Sequence, residues 1–138
     1  MQIVYLDANI ILRFLLGDDP KMFEEARSIF KSAEQQEISL MVDPVTLAKC
    51  CSFLAGQTAR FPSKKVVTDA LTKVLFLPGV QAENPVALVE ALEIYAHHDV
   101  DFADAYLAVI ARNQACSVAS FNENLRQSGV EVFESHTH

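Results

Sequence analysis

Short apolar runs alternate along this chain with longer segments in which apolar residues recur at helical spacing. The runs that suit strands cover 2–6, 38–42, 80–82, 117–119 and 130–133. The helical patterns between them cover 9–16, 20–33, 45–59, 63–74, 85–95, 102–112 and 123–126. Because strands separated by helices favour parallel β-α-β units, the sequence predicts a three-layer α/β/α fold. Its central sheet is expected to be mostly parallel, with helices on both faces.

The length of 138 residues suits one domain. No repeat or linker-like stretch interrupts it, so we predict a single domain over 1–134 followed by a short tail at 135–138. No apolar run approaches the roughly 18 residues that span a bilayer. No secretion signal opens the sequence, which predicts a cytoplasmic protein without membrane contact.

The net charge of −7 constrains the partners of the protein. Domains that hold nucleic acid through their overall field are usually basic, so this charge argues against tight non-specific binding. It remains compatible with an enzyme that handles RNA through a metal and a local basic rim. It also suits a basic or amphipathic protein partner.

The cysteines Cys50, Cys51 and Cys116 form no zinc-binding spacing. An odd number of cysteines fits a reducing compartment better than a disulfide framework. Because Cys50 and Cys51 lie together in an apolar helical stretch, we predict that both are buried as small hydrophobic side chains.

Asp7 directly follows the first apolar run. Ligands of open parallel sheets bind beyond the carboxyl ends of the strands, where this carboxylate is expected. Two interpretations stand: Asp7 caps the next helix, with Asn9 assisting, or it belongs to a functional site.

Asp101 and Asp104 are three residues apart near the start of a predicted helix, and therefore share one helix face. The structural interpretation is a cap followed by an acid in the first turn, where the helix dipole favours negative charge. The remainder of that helix is strongly apolar, which predicts that it is buried and that it draws both carboxylates inward. Buried like charges are costly unless a cation joins them. Mg²⁺ or Mn²⁺ is the natural candidate.

Three segments together resemble the motifs of PIN domains. The segment 4–10 reads Val-Tyr-Leu-Asp-Ala-Asn-Ile, 101–105 reads Asp-Phe-Ala-Asp-Ala, and 120–122 reads Ser-Phe-Asn. The resemblance covers nearly the whole chain and is closest to the VapC-like toxins. It implies a metal-dependent endoribonuclease that acts on single-stranded or structured RNA. It also implies a homodimer and an antitoxin-like protein partner.

The resemblance assigns roles to particular residues. Asp7 and Asp104 would be the catalytic carboxylates that hold Mg²⁺ or Mn²⁺, with Asp101 as their companion. Asn9 and Ser120 would support the pocket.

Two positions depart from the family pattern. Lys49 stands where the second acid of PIN domains is expected, and Asn122 stands where their fourth acid is expected. A lysine ammonium near Asp7 and Asp104 favours their charged forms and can replace the charge of a metal ion. The alternative is that Lys49 points to solvent.

A small basic cluster, Arg60, Lys64 and Lys65, lies between two predicted helices. It can contact RNA phosphates or can belong to a solvated loop. Two functions follow from the whole pattern. The first is an active Mg²⁺-dependent endoribonuclease of a toxin–antitoxin pair. The second is a catalytically impaired PIN domain that acts as a binding or assembly module.

Overall fold

Three parallel strands form the sheet of this protein. The computed structural model describes residues 1–134, so the tail predicted at 135–138 lies outside the described residues. The strands are β1 (Gln2–Tyr5), β2 (Ile38–Val42) and β3 (Val80–Ala82), in the spatial order β1-β2-β3. With its flanking helices this sheet confirms the predicted parallel α/β fold class.

Six α-helices and one 3-10 helix accompany the strands in the described part of the chain. The α-helices are α1 (Ala8–Leu16), α2 (Pro20–Glu34), α3 (Pro44–Ala55), α4 (Lys64–Leu75), α5 (Pro85–His97) and α6 (Phe102–Asn113), and the 3-10 helix covers Glu123–Ser128. None of these helices is both long enough and apolar enough to cross a membrane.

A polar side chain caps the start of every α-helix by accepting a hydrogen bond from a backbone N–H of the first turn. These caps are Asp7, Asp19, Asp43, Ser63, Asn84 and Asp101. Such caps satisfy amides that have no partner within the helix. The chain therefore starts its helices at positions that can be read from the sequence.

The two last predicted strands are wrong. Residues 117–119 and 130–133 do not join the sheet, and a single parallel bridge links Val118 with Val132. The Val118 N–H donates to the Glu131 carbonyl, and the Phe133 N–H donates to the Val118 carbonyl. The two segments thus use their backbone groups on each other instead of on β1.

The two faces of the sheet are buried to different degrees. Val4, Leu40 and Val80 lie side by side in the three strands and share one face, which belongs to the hydrophobic core or packs against it. The opposite face carries Ile3 and Tyr5, whose exposed fractions are 61% and 58%. The described helices therefore cover β1 mainly from one side.

The cysteines give a direct test of this packing. Burial raises the pKa of both the Cys50 and the Cys51 thiol to about 12, whereas Cys116 is exposed. Since the thiolate is the reactive form, iodoacetamide at pH 8 is expected to modify Cys116 alone in the folded protein and all three cysteines in denaturant. Peptide mass spectrometry measures this. Native labelling of Cys50 or Cys51 as fast as of Cys116 would contradict the packing of α3.

Candidate functional site

A cavity of about 670 Å³ lies where α3 faces the end of α5 and the start of α6. Its polar lining combines carboxylates, ammonium groups and neutral side chains. These are Lys49, Ser52, Lys64, Asp99, Asp101, Asp104 and Asn122. Hence the structure brings together five candidate positions from the sequence analysis, which come from four separate regions of the chain: Lys49, Lys64, Asp101, Asp104 and Asn122.

Asp101 and Asp104 occupy the start of α6. The Asp104 N–H donates to Asp101 Oδ1 over 2.8 Å, so Asp101 does serve as the helix cap. Asp101 is exposed and Asp104 is half-buried. The residue that follows each of them, Phe102 and Ala105, is buried in the core. The apolar helix thus draws Asp104 only part of the way inward, and the cap keeps Asp101 at the surface. Both carboxylates lie at the positive end of the α6 dipole.

Lys49 lies on α3 and lines the same cavity as these two aspartates. Its side chain is exposed, and among residues 1–134 it forms no salt bridge with either carboxylate. Its charge therefore acts on the cavity across solvent rather than through a direct contact, which weakens but does not remove the interaction.

Asp7 is the cap of α1, as the structural interpretation predicted. Its Oδ2 accepts a hydrogen bond from the Asn9 N–H over 3.1 Å, and both residues are exposed. Asp7 is not part of the cavity lining. Its negative charge contributes to the raised pKa of Cys50, the residue next to Lys49 on α3.

The start of α3 is tied to the end of β1. Thr46 Oγ1 donates to the Leu6 carbonyl over 3.3 Å in a buried position. Because α3 packs against both α1 and α6, it contacts the helix that Asp7 caps and the helix that Asp101 caps. This arrangement connects the two acidic helix starts through one element, the element that carries Lys49.

Asn122 has a clear structural task. Its Oδ1 accepts a hydrogen bond from the Asn124 N–H over 3.0 Å and caps the 3-10 helix. The Asn122 N–H donates to Ser120 Oγ over 3.0 Å, so Ser120 supports the backbone at this corner of the cavity. An aspartate would cap the same turn equally well, since both side chains supply an accepting oxygen.

The three predicted basic residues have separate surroundings. The Arg60 guanidinium donates to the Leu16 carbonyl, and Lys65 forms an exposed ion pair with Asp69 over 3.7 Å. Lys64 alone lines the cavity, and its ammonium donates to two backbone carbonyls. The three residues of the basic cluster are therefore engaged with different parts of the protein. Their contact with RNA stays a prediction.

Sequence reasoning missed two contributors to the site. Tyr95 of α5 lines the cavity and lies beneath the Lys64 ammonium. Asn124 donates through Nδ2 to the Asp99 carbonyl over 3.0 Å. Nothing in their sequence neighbourhoods separates them from other polar or aromatic residues, because both act through contacts with distant segments.

The class of this protein follows from its fold and from a family comparison. The parallel α/β domain carries the acidic helix caps Asp7 and Asp43 just after β1 and β2, at the edge where open parallel sheets bind ligands. The sequence pattern that describes the PIN domain matches residues 4–130, and the chain belongs to the PIN domain family. The family is in general one of nucleases. Comparison with curated proteins finds no match.

PIN nucleases generally use a divalent metal ion, which raises the question of whether this cavity fits one. Within residues 1–134, no three His, Cys, Asp or Glu side chains are grouped so that they could hold an ion. The cavity lining instead contains the carboxylates of Asp99, Asp101 and Asp104, the Asn122 amide and the ammonium groups of Lys49 and Lys64. Mg²⁺ prefers a full set of oxygen ligands, so this donor set does not fit a preformed metal site.

Proposed function

We propose that this chain is a catalytically impaired PIN domain of the toxin–antitoxin type that acts as a binding or assembly module. The observation that carries the proposal is the place of Lys49 in the lining of the cavity that also contains Asp101 and Asp104. At this position the family pattern calls for an acid. A cation there changes what the cavity can bind.

The electrostatic argument has two parts. An ammonium that shares a cavity with carboxylates partly offsets their mutual repulsion without a metal ion. The same ammonium repels a dication that approaches those carboxylates. Asn122 removes a further negative oxygen, so a metal ion meets both repulsion and a shortage of ligands.

An active endoribonuclease is the second candidate. It is favoured by the retention of Asp101 and Asp104 together at the positive end of α6, both facing the cavity. In that case Asp104 and Asp7 would hold Mg²⁺ or Mn²⁺, with Asp101 assisting. The ion would supply an activated water for attack on a phosphodiester.

The proposed partners follow from the resemblance and from charge. A net charge of −7 suits a basic segment of an antitoxin-like protein, and the resemblance to VapC-like toxins implies a homodimer. Under this proposal the protein keeps its assembly partners although its cleavage of RNA is weak.

An RNA cleavage assay separates the two candidates. We expect the natural sequence and Asp104→Asn to cleave a labelled single-stranded RNA in Mn²⁺ at rates within about twofold of each other. Removing one carboxylate changes the cleavage rate little when the site already has little activity. Asp69→Asn is the matched control, because Asp69 is an exposed acid of α4 outside the cavity. A loss on the order of 100-fold in Asp104→Asn alone would establish the active nuclease instead.

A further inference from the structure

We propose that Lys64 is a positioning residue that fixes the turn between α5 and α6, and through it the carboxylates of Asp101 and Asp104. The inference rests on the proposed function in one respect, the assignment of these carboxylates to the ligand-binding site. It gives Lys64 a task different from the RNA contact that its place in a basic cluster suggests.

The Lys64 ammonium is held at three points. It donates to the His98 carbonyl over 3.0 Å and to the Val100 carbonyl over 2.7 Å. It also lies 4.5 Å from the centroid of the Tyr95 ring, a distance at which a cation is attracted to the ring face. Lys64 itself is half-buried at the first position of α4, directly after the Ser63 cap.

The position of these carbonyls explains why an ammonium is suited to them. Tyr95 belongs to the last turn of α5 and His98 is its C-terminal cap, so the negative end of the helix dipole points at Lys64. A lysine ammonium has three donors around one atom and can therefore bind two converging carbonyls at once. Both hydrogen bonds are part-buried, where a carbonyl without a partner is costly.

The hydrogen bond from Lys64 to the Val100 carbonyl restrains the start of α6, which carries the carboxylates of the site. The Val100 carbonyl and the Asp101 nitrogen belong to one planar peptide unit, so fixing that oxygen restrains where α6 begins. From there Asp101 Oδ1 accepts the Asp104 N–H, and this bond orients the first turn that carries both carboxylates. The path from Lys64 to Asp104 thus consists of one covalent plane and two hydrogen bonds.

A second side chain completes the restraint on the turn. Asn124 Nδ2 donates to the carbonyl of Asp99, the residue between His98 and Val100. Three successive carbonyls are therefore bound by side chains from α4 and from the 3-10 helix. The turn is held from two directions, which suits a segment whose geometry determines the site.

The test uses two variants and a matched control. Lys64→Met keeps the length of the side chain and removes the ammonium, Lys64→Arg keeps the charge and the donors, and Lys73→Met makes the same change at an exposed position of α4. Amide hydrogen exchange is measured by NMR at Asp104 and Ala105, whose N–H groups both donate to Asp101. We expect exchange at these two amides to accelerate about tenfold in Lys64→Met, with a much smaller change in α2, and to recover in Lys64→Arg. Equal acceleration of exchange in α6 and in α2 would overturn the proposal, as would exchange rates in Lys64→Met that do not differ from those in Lys73→Met.

A second measurement connects the turn to the site. Titration with Mn²⁺ is made with each variant in the Lys49→Glu, Asn122→Asp background, because the natural donor set does not fit the ion. The ion broadens amide signals near it, and the concentration that halves the Asp104 signal reports relative affinity. Removing a nearby positive charge alone would strengthen Mn²⁺ binding, whereas loss of positioning weakens it. We expect at least a threefold higher half-broadening concentration in Lys64→Met than in Lys73→Met, with recovery in Lys64→Arg.

The possible results distinguish the positioning role of Lys64 from the assignment of the ligand site. Tighter Mn²⁺ binding, or unchanged binding, in Lys64→Met would overturn the positioning role even where the turn has loosened. If Mn²⁺ broadens Asp104 no more than the exposed Asp69 in the Lys49→Glu, Asn122→Asp background, the assignment of the ligand site fails. The exchange measurement then still decides whether Lys64 fixes the turn.

Discussion

A protein in which Lys49 is replaced by Glu and Asn122 by Asp is expected to lose thermal stability without metal and to recover it in Mn²⁺. The two changes place five carboxylates around the cavity, which now contains Asp99, the two aspartates at the start of α6, two ammonium groups and an amide. Without a cation these carboxylates repel each other, and with one they supply the oxygen ligands that a divalent ion prefers. The Asn122→Asp change keeps the cap of the 3-10 helix, because an aspartate oxygen can also accept the Asn124 N–H.

The size of the effect follows from ligand linkage. A ligand at 100 times its dissociation constant stabilises the folded state by about 2.7 kcal/mol. For a domain of this length that corresponds to a rise in Tm of roughly 10 °C. Differential scanning fluorimetry with and without Mn²⁺ measures it, and cleavage of single-stranded RNA is expected to rise in the same variant and to vanish with Asp7→Asn.

The control for this experiment is the double variant Lys73→Glu and Asn84→Asp. It changes the net charge by the same amount and also replaces a capping asparagine, since Asn84 caps α5, but neither position lines the cavity. We expect no comparable Mn²⁺ response from it. If the natural sequence binds Mn²⁺ as tightly and cleaves as well as the Lys49→Glu, Asn122→Asp variant, Lys49 does not impair the site and the active nuclease is the correct function.

The second large effect is expected at Gly79, in the turn before β3. Its φ of 81° lies in the left-handed region, and a Cβ added there would clash with the Ala33 carbonyl oxygen of α2. The Gly79 carbonyl also accepts the Leu40 N–H over 2.9 Å, which joins β3 to β2. Backbone on both sides prevents relief of the clash, so Gly79→Ala is expected to lower the free energy of unfolding by about 3 kcal/mol or more.

Gly56→Ala provides the comparison for this prediction. Gly56 has a φ of −83°, and an added Cβ would lie 3.4 Å from its nearest neighbour, the Phe53 carbonyl oxygen. Its substitution should change stability by less than about 1 kcal/mol. Urea unfolding followed by circular dichroism measures both variants, and equal losses in the two would mean that α2 does not approach Gly79 this closely.

Sequence reasoning succeeded where local chemistry determines the structure. A helix cap is one of the two interpretations that the sequence allows for Asp101 and for Asp7, because an acid before an apolar helical segment can satisfy free amides wherever the chain goes next. The structure shows both residues as caps. Likewise β2 was identified from a short apolar run, since Leu40 and Val42 are fully buried in the core. Such features depend on a few neighbouring residues.

The features that the sequence could not supply depend on distant partners. Residues 117–119 have the composition of a strand, but whether they pair with β1 or with Val132 is decided by the packing around them. Similarly, Lys64 looks like one of three surface cations until its two carbonyl acceptors, 34 and 36 residues away, are known. Whether Asp7 and Asp104 hold one metal ion together also depends on distant segments, and it remains a prediction.

The isolated bridge between Val118 and Val132 has a consequence for the energetics of the site. Because this segment shares no ladder with the sheet, it is attached to the domain by apolar packing and by side-chain hydrogen bonds. Val118, Leu125, Val130 and Val132 are buried in the hydrophobic core, and the Arg112 guanidinium donates to the Ser128 carbonyl. Asn122 belongs to this segment, whereas Lys49 and Asp104 belong to α3 and α6. One wall of the cavity is therefore held by side-chain burial rather than by a strand ladder, so the position of Asn122 depends on the apolar core and not on the register of the sheet.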